Sequence, residues 1–226
     1  MITLIPPTGG RPDGRALADR WMQEQTGQDF KGVVLDDCDP ETPKPERADQ
    51  IIRPNWRWQE GDNTQHASML ALLEQAGDKV IIVEDDDYYS PEYIELMADA
   101  LTRHDLVGEC NALYYHVGMR HWRDMNNQHH ASLCSTAVKG AARQQLVNVC
   151  KQGHRMIDIT LWRSLPGKLF NSRFSVGIKG LPGRGGIGVG HRLRGGVPDP
   201  SLYKLNETIG KQHARAYASY CQAKAA

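Results

Sequence analysis

The sequence predicts an α/β fold in which a mostly parallel sheet is flanked by helices within a single domain, and three observations lead there. Short apolar runs alternate with stretches of helical spacing through the first half of the chain, as repeated strand–helix–strand units require. A chain of 226 residues can bury one sizeable core and hardly two. The strand-like runs end in turn-forming or acidic residues, which suits an open sheet whose ligand crevice lies beyond the carboxyl ends of its strands.

In chain order, Ile2–Ile5 reads as a first strand running into the turn Pro6-Pro7. Residues 14–25 have helical spacing with Leu17, Trp21 and Met22 on one face, and residues 32–35 are a second strand ending in Asp36-Asp37. The proline-rich, charged segment 39–54 reads as a surface loop. Residues 64–75 form a second helix, and residues 79–83 a third strand that ends abruptly in acid. Ser90-Pro91-Glu92 opens a helix to Thr102: Ser90 suits a cap, Pro91 the first turn, and Glu92 and Glu95 the positive end. Residues 111–117 and 131–138 resemble strands, residues 157–165 a short helix, and a last helix starts near Leu205 and frays over 221–226.

Composition narrows the function classes. An apolar fraction of 40% with 24% charged residues fits a soluble chain, and no apolar run approaches a bilayer span, so no membrane association is expected. The start has neither a basic leader nor a long apolar stretch, which predicts a cytoplasmic protein. Cys38, Cys110, Cys134, Cys150 and Cys221 are scattered without Cys-x-x-Cys spacing, which predicts reduced, buried thiols rather than a disulfide framework or thiolate zinc site. The zero net charge hides a division: residues 1–102 carry 9 Lys and Arg against 21 Asp and Glu, and residues 103–226 carry 18 against 6. The halves can attract each other, and the acidic one can also collect a cation while the basic one meets phosphates.

The string from Val80 to Ile94, VIIVEDDDYYSPEYI, carries the strongest chemical signal. Glu84 to Asp87 are four consecutive acids at the end of a buried strand, and they cannot all ionise cheaply side by side. A hard divalent cation with oxygen ligands would compensate them and could bridge to a diphosphate. The plainer alternative is a solvated acidic turn that caps the next helix. Residues 177–196 hold nine glycines together with Lys179, Arg184, His191, Arg192 and Arg194. This stretch is expected to stay out of the core and to fold its N–H groups and cations around phosphate, although it lacks the Gly-Lys-Ser/Thr ending of a Walker loop.

Asp85-Asp86-Asp87-Tyr88-Tyr89-Ser90-Pro91, following an apolar strand, resembles the metal motif of glycosyltransferase family 2 and its GT-A relatives. That resemblance implies a GT-A (Rossmann-like) fold and a Mn²⁺ or Mg²⁺ ion held by Asp85 and Asp87, with Asp85 and Asp86 beside a nucleotide-sugar donor. The opening ITLIPPTGGRP is similar to the family's first strand and Pro-Thr turn, which places Pro7, Thr8 and Arg11 by the donor. Asp36 or Asp37 matches the acid that accepts from the uracil edge, so a UDP-sugar is implied, and Asn63 lies in the polar segment before the metal strand. His154 to Arg163 resembles the family's late acidic motif and makes Asp158 the general base of an inverting transfer, or, on the plainer reading, a helix N-cap. The family usually has two acids there, and this chain has Ile157-Asp158. His191 is the best match to a histidine that completes the metal shell, with Lys179, Arg184 and Arg192 in a loop closing over the donor. Residues 1–102 then bind the donor and metal, and residues 103–226 bind the acceptor and carry the base.

The acceptor reading starts from what is missing. Membrane-bound synthases of the family carry spans and a Gln-x-x-Arg-Trp motif, and neither is present. The basic second half, with Arg120, His121, Trp122 and Arg123 together and His129-His130 nearby, suits a polyanion approached by aromatics. The chain looks like the small enzymes with which bacteriophages glycosylate hydroxymethylated pyrimidines, so double-stranded DNA in a host cytoplasm is the expected acceptor, reached by base extrusion. A saccharide or protein acceptor, a non-catalytic nucleotide- and metal-binding module, and a nucleotidyltransferase are the alternatives.

Overall fold

The structure, a computed structural model, describes residues 1–8, 11–38, 41–59, 62–183 and 195–221. The first half runs β1 (Ile2–Ile5), β2 (Pro7–Thr8), α1 (Pro12–Gln23), β3 (Phe30–Asp36), β4 (Gln50–Ile52), α2 (Gln65–Gln75), β5 (Lys79–Ile82), β6 (Tyr88–Tyr89) and α3 (Tyr93–Arg103). The second runs β7 (Leu106–Glu109), β8 (Leu113–His116), β9 (His121–Asp124), β10 (Thr136–Val138), α4 (Gly140–Gln152), α5 (Ile157–Ser164), β11 (Lys168–Phe170), β12 (Ser175–Lys179), β13 (Val197–Pro198) and α6 (Tyr203–Tyr217).

β1 lies inside the main sheet, parallel to β3 on one side and β5 on the other. Leu4 faces Gly32 and Pro7 faces Leu35, so β2 prolongs β1 past Pro6 in unbroken register. β10 runs antiparallel between β5 and β7, while β4 and β11 extend the two sides in parallel, giving the mostly parallel sheet expected. Both faces are covered, which is why these strands read as continuous apolar runs. Leu4 and Ile81 join Trp21, Tyr89, Tyr93, Met97 and Tyr217 on one face. Ile5, Val80 and Ile82 join Leu72, Leu73, Leu146, Leu161 and Trp162 on the other.

A second sheet, in the order β13-β9-β8-β12-β6, packs against the first core. It attaches directly behind the acidic run: β6 begins at Tyr88, and Tyr88 pairs with Val176 of β12. β12 overturns part of the glycine-rich expectation. Val176 to Lys179 is a buried strand, and Gly177 is needed because a Cβ there would stand 2.3 Å from the Tyr114 ring. Segment 39–54 is likewise more than a loop, since Gln50–Ile52 is a strand pairing with Val33 to Leu35.

The other differences are local. α4 was not anticipated, although Ala142, Leu146, Val149 and Cys150 are buried at helical spacing and Gly153 ends the helix in the left-handed region at φ 69°. β7 and β9 are further unanticipated strands, and of the strand expected at 131–138 the part that forms one is Thr136–Val138. α3 starts at Tyr93 with Glu92 in the cap position, and the Ser90 hydroxyl is buried without a hydrogen-bond partner instead of capping. Cys221 is buried in the core, and the rest of the expected tail lies outside the described residues. All five cysteines are free and buried, as expected. Among the described residues no helix is long and apolar enough to cross a membrane.

Glu109, at the end of β7 and 3% exposed, ties the two sheets together. Its carboxylate accepts from Ser172 Oγ at 2.6 Å, the Phe174 and Ser175 N–H groups at 2.8 and 2.7 Å, and Ser175 Oγ at 2.5 Å. Glu109→Ala would strand these donors, and a loss on the order of 3 kcal/mol is expected in urea unfolding monitored by tryptophan fluorescence. An unchanged midpoint would mean that water replaces the carboxylate.

Candidate active site at the end of β5

Three segments meet beyond the carboxyl ends of the parallel strands, as the fold class requires. β5 delivers Glu84 to Asp87, β3 delivers Asp36 and Asp37, and the start of α1 brings Arg11 and Arg15 against both. The approach is close: a Cβ on Gly14 would stand 3.1 Å from the Asp85 carbonyl oxygen. Tyr89 holds the acidic turn, its hydroxyl accepting from the Glu84 N–H at 2.8 Å and donating to the Cys134 carbonyl at 3.0 Å.

The acidic run is buried, with Asp85, Asp86 and Asp87 at 0–1% exposure. Arg11 forks across it, one guanidinium nitrogen on Asp85 Oδ1 and the other 2.8 Å from Asp86 Oδ2. Lys179 approaches from β12, with Nζ 2.7 Å from Asp87 Oδ1, 3.2 Å from Glu84 and 3.5 Å from Asp86. The Ile178 N–H also donates to Asp87 Oδ1 at 2.9 Å. Arg11 and Lys179 thus meet the run from two different elements. Burial pushes the Asp85 carboxyl up to about 6 against the pull of Arg11. Burial likewise pushes Asp87 up to about 8 against the pull of Lys179. Lys179 is also raised well above its ordinary value: burial opposes its charge, but Asp86, Asp87 and Glu84 more than restore it.

The residues present fit a divalent ion. Asp85 Oδ2 and Asp87 Oδ2 are buried acceptors with no hydrogen-bond partner, as expected of oxygens suited to a cation. Glu84, Asp87 and Cys134 also bring ligand atoms within 4.8 Å of one another. Burial raises the Cys134 thiol well above its ordinary value, so this sulfur stays protonated and the hard donors are the carboxylates.

The remaining sequence-derived residues fall as follows. Pro7 and Thr8 pair through their backbone with Leu35 and Asp36, at the carboxyl end of β3. Asp36 serves its own loop, accepting from the Thr42 N–H and hydroxyl, both at 2.8 Å, and from the Cys38 N–H at 3.2 Å. Despite its burial these bonds hold its carboxyl below the usual range. Asp37 accepts from the Thr64 hydroxyl at 2.9 Å. Asn63 accepts from the Gln65 N–H at 3.2 Å, at the entry to α2. Lys179 is 3% exposed and paired with acids, so its charge balances the acidic run instead of facing an open loop. Arg184, His191 and Arg192 lie outside the described residues. Asp158 sits in the first turn of α5, where Met156 holds the cap position and Asp158 Oδ1 accepts from the Ile159 N–H at 2.8 Å. Burial raises its carboxyl, and the Ile159 N–H and the nearby His130 partly offset that. The sequence reading missed Tyr89 as the clamp of the turn and Lys179 as a counter-ion; no local signal marks either.

Against known families, the profile described as glycosyl transferase family 2 matches residues 18–163, more than half of the chain. The chain belongs to glycosyl transferase family 2. The family match takes in Asp36, Asp37, the acidic run and Asp158, and stops before β12 and Lys179. Among solved structures, S. aureus TarS 1–349 in complex with UDP-GlcNAc is 12% identical, with a TM-score of 0.52 over 97% of this chain and 71% of that one. The same fragment in complex with UDP is 11% identical, with a TM-score of 0.52 over 97% and 70%. A longer TarS chain is 13% identical, with a TM-score of 0.52 over 76% of this chain and 35% of that one, so this family 2 chain spans about a third of its length. At these identities the likeness shows the shared GT-A architecture and no more. No curated protein matches by sequence.

The raised carboxyls make a stability prediction with a definite sign. A folded-state value above the unfolded one means that ionisation costs stability, so the contribution is fully present below the ordinary value of 3.8 and is lost as pH rises towards about 8. Without added metal the melting temperature should therefore fall between pH 5 and pH 8, and Mn²⁺ together with UDP should restore it at pH 8. Asp87→Asn should flatten the decline; a variant that keeps the full slope would refute this origin.

Proposed function

We propose that this family 2 member transfers a sugar from a UDP-sugar to an acceptor hydroxyl with inversion at the anomeric carbon. The observation that carries the reading is the pair of buried carboxylate oxygens, Asp85 Oδ2 and Asp87 Oδ2, that accept no hydrogen bond. Asp85 and Asp87 would hold Mn²⁺ or Mg²⁺, which when bound supplies positive charge to the departing diphosphate. His191 is a third candidate ligand. The UDP and UDP-GlcNAc complexes of TarS, which share this fold, support UDP as the nucleotide. On the donor side Pro7, Thr8 and Asp37 border the base, with Asn63 beside them, and Arg11, Arg184 and Arg192 meet phosphate. Residues 1–102 form the donor half and residues 103–226 the acceptor half.

Asp158 is the base. Its carboxylate takes the acceptor hydroxyl's proton as that oxygen attacks opposite the diphosphate, and burial raises its affinity for the proton in the direction a base needs. For the acceptor, hydroxymethylated pyrimidine DNA remains the proposal, in a host cytoplasm if the chain is phage-encoded. It rests on the charge of the second half, where Arg123 and His129 are exposed. Trp122 contributes less than its sequence context suggested, because it is partly buried against the core with the Lys204 ammonium 4.9 Å above its ring.

The test is incubation with Mn²⁺, a panel of nucleotide sugars, and plain or hydroxymethylated DNA, read by mass. Sugar-dependent mass gain on modified DNA alone supports the full reading; transfer to an oligosaccharide instead removes the DNA acceptor and keeps the enzyme. Asp158→Asn should lower transfer by roughly 100-fold or more while UDP binding persists. An Asp158→Asn protein that transfers normally removes Asp158 as base.

A further inference from the structure

Arg11 and Lys179 are held differently on the acidic run. Lys179 arrives from inside a buried strand, is 3% exposed, and works together with the neighbouring Ile178 N–H. Arg11 stands at the entrance of α1, and its side chain is 12% exposed. Its fork joins Asp85 Oδ1 to Asp86 Oδ2, but its own Nε is buried without an acceptor, so the guanidinium is incompletely satisfied where it lies. Asp85 is one of the two carboxylates that fit the ion. A guanidinium touching that carboxylate repels a dication at the same place, and the two cannot share it at full strength. A diphosphate arriving with the ion offers Arg11 a bidentate acceptor of higher charge.

We propose that Arg11 is an exchangeable counter-ion, which clamps Asp85 and Asp86 before metal and nucleotide arrive and passes to the diphosphate when they bind, while Lys179 remains as the fixed one. The proposal rests on the metal- and UDP-dependent reading above and adds a coupling to it. Arg11 opposes bare metal and favours metal together with diphosphate, so the site stays closed to free ions and loads both at once.

The test is Mn²⁺ binding to the full chain, followed by electron paramagnetic resonance of the free ion, with and without UDP. The wild type should bind Mn²⁺ weakly alone and at least tenfold more tightly with UDP. Arg11→Gln should bind Mn²⁺ alone at least tenfold more tightly than the wild type and gain less from UDP. Arg11→Lys keeps the charge and should stay near the wild type without UDP. Arg11→Gln binding Mn²⁺ no more tightly than the wild type overturns the exchange and leaves the proposed reaction standing. A wild type that takes up no Mn²⁺ even with UDP sinks the metal-dependent reading and the exchange together. Wild-type protein gives a second readout if Arg11→Gln does not fold: phenylglyoxal labelling of Arg11 should rise with saturating Mn²⁺ alone and fall again when UDP is added. Labelling indifferent to both ligands overturns the exchange.

Discussion

Buried negative charge at the carboxyl end of β5 is the constraint on which the rest of the architecture depends. Glu84 to Asp87 sit where the chain leaves the core, and burial there raises the carboxyls of Asp85 and Asp87 even against the cations that oppose it. Each neighbouring element supplies part of the opposition. α1 places Arg11 on Asp85 and Asp86, and β12 places Lys179 and the Ile178 N–H on Asp87. The second sheet is therefore held to the end of β5 by charge as well as by the short connection from the acidic run into β6. Beside these cations Asp85 Oδ2 and Asp87 Oδ2 stay buried without a hydrogen-bond partner, an arrangement that suits a further positive charge at this one place.

How far the sequence reveals this follows from the range of each interaction. β1, β3 and β5 are legible because both faces of a central parallel strand are buried, which leaves unbroken apolar runs. The acidic run is legible because its residues are contiguous. Its partners are not: Arg11 and Asp85 are separated by 74 residues, and Lys179 and Asp87 by 92. Lys179 was further disguised by the glycines around it, which suggested a phosphate loop; Gly177 is instead a packing requirement beneath Tyr114. β7 was hidden in a similar way. Gly108 weakens its strand signal, and only the tertiary structure explains that glycine, since a Cβ there would meet Ala131 at 2.4 Å and the Trp162 ring at 2.8 Å. α4 was hidden by polar residues that dilute a regular apolar spacing.

The proposed metal acids and the proposed base lie on different elements, and buried hydrogen bonds connect the two. Tyr89 spans from the Glu84 N–H to the Cys134 carbonyl, which fixes the acidic turn to the segment leading into β10. Two residues along that segment, the Thr136 hydroxyl accepts from Trp162 Nε1 at 3.2 Å, which fixes α5, the helix bearing Asp158. β10 also pairs directly with β5, so the same short segment is held from both sides. The reversed direction of β10 thereby gains a purpose: it runs from the level of the acidic turn back into the sheet, joining the two groups through main chain and buried side chains. A base on a loose loop would have to be ordered at each turnover; on the proposed assignment Asp158 is instead carried by a helix that the fold already holds.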